Sequence, residues 1–217
     1  WWLRGALGSP AVTAWTGSPT GWYTHTYNES NTNPSITMEN GGDTDTAFAR
    51  TLKGGLMTSV SVSAALNEMV KIRFECPFSN ESKGTAVIAA ANRPVASDEP
   101  FTFAQGAISL AGSTIAEVQS FELTINPNSK HVWGCGSEVA TNKAHLNREY
   151  NLKATVAFKD VTELMNRVYG GATALTTPTC ETTMFLKFDN AGSGTNQRVI
   201  QINLGSVWFD DHSLPQD

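Results

Sequence analysis

Charge is scarce in this sequence, cysteine nearly absent and a long apolar run missing: 16% of the 217 residues are charged and three are cysteine. Each shortage excludes something. A chain kept unfolded by solvation carries more charge and less apolar material than this one, whose hydrophobic residues make up 40% and suffice for a core. Cys76, Cys135 and Cys180 lie far apart. Such an odd, sparse set fits a reducing cytosol rather than a secreted disulfide scaffold, and leaves room for one bridge at most. The richest apolar stretch, Thr85 to Ala91, falls far short of the roughly 18–20 residues of a membrane helix, so no membrane partner is expected. A basic excess is missing too, since 15 Lys and Arg face 20 Asp and Glu for a net charge of −5. Phosphate neutralisation supplies most of the affinity of a tight nucleic-acid binder. If this protein meets DNA, it does so without gripping it.

Signals for chemistry are equally thin. The four histidines, His25, His131, His145 and His212, form no H-E-x-x-H or related ligand pattern. His131 and Cys135 are four apart but lack the second pair a structural zinc wants, in a segment that Pro127, Gly134 and Gly136 mark as a loop. Gly134-Cys135-Gly136 and Gly192-Ser193-Gly194 read as turns, not phosphate cradles, and no G-x-S-x-G elbow surrounds a serine. Asp43 with Asp45, and Asp210 with Asp211, read as solvated surface. No catalytic residue, metal ligand or cofactor is expected, and the sequence gives no support for an enzyme. Of the six tryptophans, Trp1, Trp2 and Trp208 read as core or interface anchors, whereas Trp15, Trp22 and Trp133 sit in loop-like sequence. Those three suit either a subunit contact or the stacking platform of a carbohydrate-binding β-sandwich.

What is present is period-two alternation. Val60, Val62 and Ala64 alternate with Ser59, Ser61 and Ser63; after an Asn67-Glu68 turn, Val70, Ile72 and Phe74 alternate with Lys71, Arg73 and Glu75. That is an antiparallel hairpin with one apolar and one polar face. A second unit repeats the pattern with a longer connection: Phe121, Leu123 and Ile125 against Glu122, Thr124 and Asn126, then Leu152, Ala154, Val156 and Phe158 against Asn151, Lys153 and Thr155. The alternation places Val60, Val62, Ile72, Phe74, Leu123, Ile125, Leu152 and Val156 in the core. One helix is signalled over Asp160–Tyr169, with Asp160 as cap, Glu163 three residues on, Val161, Leu164, Met165 and Val168 at helical spacing and a Gly170-Gly171 stop. Trp1–Leu7 before Gly8 reads as the end of a helix, and the chain opens at Trp1 rather than Met, so an upstream piece is expected. Met184–Phe188 and Arg198–Phe209 close the chain as strands. Residues 17–48, rich in Thr, Ser, Asn and Gly with short strand candidates at Trp22–Tyr27 and Ser35–Glu39, read as an extended loop or hairpin arm. The rest is a mainly β chain, a single domain over 1–217.

Several of these pieces, in order, resemble the tail tube (major tail) proteins of tailed bacterial and archaeal viruses. They are the Trp1-Trp2-Leu3 helix end with Leu7-Gly8; Tyr23-Thr24-His25-Thr26; Pro34 to Glu39; Leu52-Lys53-Gly54-Gly55 leading into Met57 to Ser63; Ile115 to Asn126; and Tyr150 to Phe158 running into the Asp160–Tyr169 helix. The resemblance implies a β-sandwich with one flanking helix, in which two hairpins per subunit join those of neighbours in an oligomeric barrel. It also implies hexameric rings stacked into a tube that carries double-stranded DNA without sequence-specific binding. The partners would be further copies and tail proteins such as a tape measure and a tail terminator. The place would be the virion tail, assembled in the host cytoplasm.

Under that resemblance the polar hairpin faces line the bore, with Ser59, Ser61, Ser63, Lys71, Arg73, Glu75, Glu122, Thr124, Glu149, Lys153 and Thr155 as candidate lumen residues. Trp22, Tyr23, His25, Tyr27 and Trp133 are candidate inter-subunit contacts. Six copies of four strands make about 24 strands, which at about 4.8 Å spacing and about 40° tilt give a backbone diameter of roughly 48 Å. Side chains leave a bore of roughly 40 Å, enough for a duplex. Six copies at −5 carry about −30 per ring, which repels phosphate. Yet the candidate lining itself is balanced, with Lys71, Arg73 and Lys153 against Glu75, Glu122 and Glu149. A tube from a contractile injection system or tail-like particle would share this fold, and gene neighbourhood separates it.

Overall fold

The computed structural model of the chain describes residues 2–14, 23–30, 32–42, 48–84, 99–110, 113–115, 118–157, 182–190 and 198–207. The Asp160–Tyr169 helix, Trp1, Trp15, Trp22, Trp208, Cys180, His212, both acidic pairs and the Gly192–Gly194 turn lie outside the described residues.

A short helix, α1 (Trp2–Leu7), opens the chain. Strands follow in the order β1 (Ala11–Ala14), β2 (Tyr23–Thr26), β3 (Ile36–Gly42), β4 (Phe48–Gly55), β5 (Ser59–Ala65), β6 (Lys71–Glu75) and β7 (Asn80–Gly84). After a 3-10 turn at Phe103–Gln105 come β8 (Gly106–Leu110), β9 (Ser113–Ile115), β10 (Val118–Asn126), β11 (Ser129–Val132) and β12 (Asn142–His145). The last three are β13 (Glu149–Val156), β14 (Thr182–Asp189) and β15 (Val199–Val207). The strands form several sheets, ordered β13-β10-β5-β6, β15-β14-β8-β9 and β3-β4-β7, with two-stranded pairs β1-β2 and β11-β12. The fold is mainly β and of β-sandwich type, and among the described residues no sheet closes into a barrel.

The alternation in Ser59–Ala65 and Phe121–Asn126 becomes burial. Val60, Val62, Leu123 and Ile125 are buried to within a few per cent, while the serines between the valines are only half-covered. The hairpin turns at Asn67, whose φ of 63° is left-handed, with the Glu68 N–H bonded to the Ala65 carbonyl at 2.9 Å. Asparagine tolerates that conformation better than other side chains. β5 pairs antiparallel with β6, Ser61 opposite Arg73 and Val62 opposite Ile72. Ser59 Oγ bonds to Asn126 at 3.1 Å and the Leu66 N–H to the Gln119 carbonyl at 3.0 Å, so β10 runs antiparallel to β5. The two hairpins read from the sequence are thus neighbours in one four-stranded sheet, which periodicity alone did not specify.

Four of the eight residues expected in the core are not buried. Ile72 is 37% exposed, and Phe74, Leu152 and Val156 are only half-buried. The reason is position. Among the described residues β6 and β13 are the outer strands of the sheet, each with a neighbouring strand on one flank only. A second correction concerns Pro127–Gly136, expected as a loop: Ser129–Val132 is a strand paired with Asn142–His145.

By contacts the chain falls into two compact units of interleaved segments. The first comprises Trp1–Ser63, Lys71–Glu99 and Glu122–Leu152; its core holds Ala6, Ala49, Leu56, Met57, Val60, Val62, Leu123 and Ile125. The second comprises Ala64–Val70, Pro100–Phe121 and Lys153–Asp217. Its core is aromatic: the Phe188 ring lies 5.5 Å from Phe121 and 6.2 Å from Phe101, centroid to centroid, beside buried Ile108, Met184 and Leu186. Tilted rings at these separations add attraction beyond their buried area.

Candidate functional site

Among the described residues, the second unit holds an apolar cavity of about 200 Å³ lined by residues including Phe103, Ala107, Ile108, Val118, Phe121 and Leu186. Its walls carry no titratable side chain. A catalytic pocket combines apolar walls with convergent polar groups, and this one has no such groups. Among the described residues no three His, Cys, Asp or Glu side chains gather as metal ligands. His131 donates from Nε2 to the Gly54 carbonyl at 2.8 Å and lies 6.2 Å from the Trp133 ring, while Cys135 is an exposed free thiol. Cys76 is free as well, and burial pushes its thiol pKa up.

Three surface features remain. The first is the polar face of the four-stranded sheet. Ser59, Ser61 and Ser63 stand opposite Glu75, Arg73 and Lys71 respectively, so these six share a face. Glu122 and Thr124 follow the parity of Asn126, whose bond to Ser59 puts them on that face too. Glu149, Lys153 and Thr155 share one face of β13 and are exposed. The second feature is the pair of outer strands, β6 and β13, with the half-buried apolar residues noted above.

The third is the β1–β2 ribbon and its base. Tyr23 and His25 are exposed on β2, and Tyr27, just beyond it, is half-buried. Trp133, 54% exposed, follows β11. Trp133 lies 6.2 Å from the His131 ring, centroid to centroid, and Trp22 lies outside the described residues.

Sequence reasoning missed the base of the ribbon. Asn33 is 2% exposed and donates from Nδ2 to the Ala6 carbonyl at 3.4 Å. Arg148, between β12 and β13, donates to the Ala6 carbonyl (3.2 Å), to Asn33 Oδ1 (2.8 Å) and to the Ser30 carbonyl. Lys143 Nζ reaches the Asn33 carbonyl at 2.7 Å. Tyr150 bonds to the Glu29 side chain, and burial together with that acceptor pushes its phenol well above the usual range. Two of these bonds, from Asn33 and from Arg148, converge on the Ala6 carbonyl at the end of α1, where carbonyls lack intrahelical partners and a cation is favoured. Gly8 closes the helix at φ 112°, its N–H on the Arg4 carbonyl at 3.0 Å, and a Cβ there would lie 2.7 Å from the Ser30 Cβ. No motif announces this clamp, because most of its acceptors are backbone carbonyls.

The phage tail tube protein family matches residues 1–206. The chain belongs to that family. No curated protein matches it. As a tail tube protein it is a structural component of the virion tail, associating with further copies of itself and with other tail proteins. The three surfaces are therefore judged as places of assembly.

Beside the clamp sits a titratable group. His145 takes part through Nδ1 in a 2.9 Å bond with Ser129 Oγ, while its Nε2 is buried without a partner. Burial, then Lys143 and Arg148, lower its pKa below 6.5. The sign follows from linkage: below pH 6.5 the unfolded state takes up the proton more readily than the native state. Stability is therefore full above pH 6.5 and falls as pH drops from 6.5 toward the lowered value. Urea midpoints measured between pH 8 and pH 5 are expected to decline less in His145→Gln than in the parent. Equal declines would remove His145 as the cause.

Proposed function

We propose that this tail tube protein assembles as hexameric rings that stack into a tube, through which double-stranded viral DNA passes without sequence-specific contact. The observation that carries the reading is the β13-β10-β5-β6 sheet. Two amphipathic hairpins lie side by side, and among the described residues neither outer strand pairs with a further strand. An open edge with unpaired backbone groups invites a further strand. If β6 of one copy meets β13 of the next, six copies close a barrel of about 24 strands with a bore of roughly 40 Å. The half-exposed Ile72 and Leu152 are then covered by neighbours. Ser59, Ser61, Ser63, Lys71, Arg73, Glu75, Glu122, Thr124, Glu149, Lys153 and Thr155 face the lumen in this arrangement. Their equal numbers of basic and acidic groups let phosphate slide without a net attraction. Trp22, Tyr23, His25, Tyr27 and Trp133 are assigned to contacts between subunits. The whole of 1–217 acts as one tube domain with 17–48 as its arm, no catalysis is involved, and assembly takes place in the host cytoplasm with a tape measure and a terminator as companions.

Negative-stain imaging of the purified protein tests this. Rings or tubes of six-fold symmetry with a stain-filled bore are expected, and Ser61→Asp with Thr124→Asp should leave them intact. A protein that stays monomeric at high concentration, or tubes lost in the Ser61→Asp variant while the subunit remains folded, would overturn it.

A further inference from the structure

The β1–β2 ribbon combines full exposure with an absence of protection. All residues of Ala11–Ala14 and Tyr23–Thr26 are exposed, and the pair joins no other strand among the described residues. Its register is unbroken, Ala11 opposite Thr26 through Ala14 opposite Tyr23. It holds no charge, no proline and no bulge, the devices by which proteins keep strand edges from pairing. The β11–β12 pair, by contrast, carries Lys130 and Lys143. A lone two-stranded ribbon is marginal in water, so this one is built to be covered.

Its two faces differ. Val12 lies opposite His25 and Ala14 opposite Tyr23, so these four side chains share one face and Ala11, Thr13, Thr24 and Thr26 the other. Val12 is 55% and Tyr23 64% exposed, both large and apolar on the same side. Against that exposure stands the fixed base, where Arg148, Lys143 and Tyr150 hold Glu29, Ser30 and Asn33. An exposed ribbon on an anchored base is an element presented to a partner.

We propose that the Val12–Ala14–Tyr23–His25 face docks onto a second copy of this chain, and that Arg148 is the positioning residue that aims it. The choice of occupant rests on the tube reading above. It also rests on charge: copies at −5 each repel one another, so they approach most readily through elements that carry no charge. An acidic or phosphate partner would find nothing on this face to hold it.

The test compares the parent with Val12→Glu/Tyr23→Glu, with the opposite-face control Thr13→Glu/Thr24→Glu, and with Arg148→Met. Sedimentation velocity and negative stain read assembly, near-UV circular dichroism reads the fold, and hydrogen exchange reads residues 28–33. The parent and the opposite-face control are expected to assemble, and the Val12/Tyr23 variant to remain a folded monomer. Arg148→Met should keep its fold, exchange about tenfold faster over 28–33 and lose most of its assembly. Unaltered assembly of the Val12/Tyr23 variant, or equal loss in the control, would overturn the docking face. Unaltered assembly of Arg148→Met despite faster exchange would overturn the aiming role. A parent that never assembles would instead overturn the tube reading, a distinct outcome.

Discussion

Val62→Asp is expected to abolish folding, and Ser61→Asp, one residue away, to be tolerated. Val62 is 3% exposed on an inner strand, with β10 alongside on one flank and Ile72 opposite it across the hairpin. A carboxylate there has no cation and no donor. It must either ionise in apolar surroundings or fold only in its protonated form, and either route costs about 5 kcal/mol or more, comparable with a domain's whole stability. Ser61 lies on the polar face opposite Arg73, where an added acid meets solvent and a cation. Soluble yield and a cooperative thermal transition check both. A folded Val62→Asp protein beside an unfolded Ser61→Asp protein would invert the facing of the sheet.

Why one residue's fate was legible and another's was not follows from the sheet order. Val62 and Ile72 occupy equivalent places in equally clean alternation, and the sequence treats them alike. Only the arrival of β10 beside β5, from more than fifty positions downstream, makes one central and the other marginal. Alternation records which side chains share a face, and burial also depends on what lies alongside. The missed strands fail for local reasons. Ala11–Ala14 is four residues without contrast, Ser129–Val132 sits among Pro127, Gly134 and Gly136, and Asn80–Gly84 is polar throughout. Their pairing is set by partners, not by composition. The Tyr23–Thr26 and Ile36–Gly42 strands were visible within 17–48, but the burial of Asn33 between them was not, because it bonds to residues over a hundred positions away.

The second large effect is expected at Phe188. Truncation to alanine removes a ring 1% exposed that Phe121 and Phe101 both face, and the Phe188 edge also fills the space above Gly106, where a Cβ would come within 2.7 Å of it. Loss of the ring's transfer energy plus the cavity left behind amounts to about 3–5 kcal/mol. Urea unfolding should show a midpoint lowered accordingly, with Phe188→Leu falling between alanine and the parent. A change below about 1 kcal/mol would mean that the neighbours collapse into the space.

The Arg148 clamp has a consequence in time. Its guanidinium meets residues 142, 118 and 115 positions earlier in the chain. During synthesis the ribbon emerges early, but the side chain that anchors its base follows on the order of ten seconds later at ordinary elongation rates. Until then the ribbon's base lacks the Arg148 bonds, and under the docking proposed above nascent chains on neighbouring ribosomes would have no aimed contact to make. On the docking proposed above, competence to assemble would therefore wait until synthesis has passed Arg148, about two thirds of the way along the 217 residues.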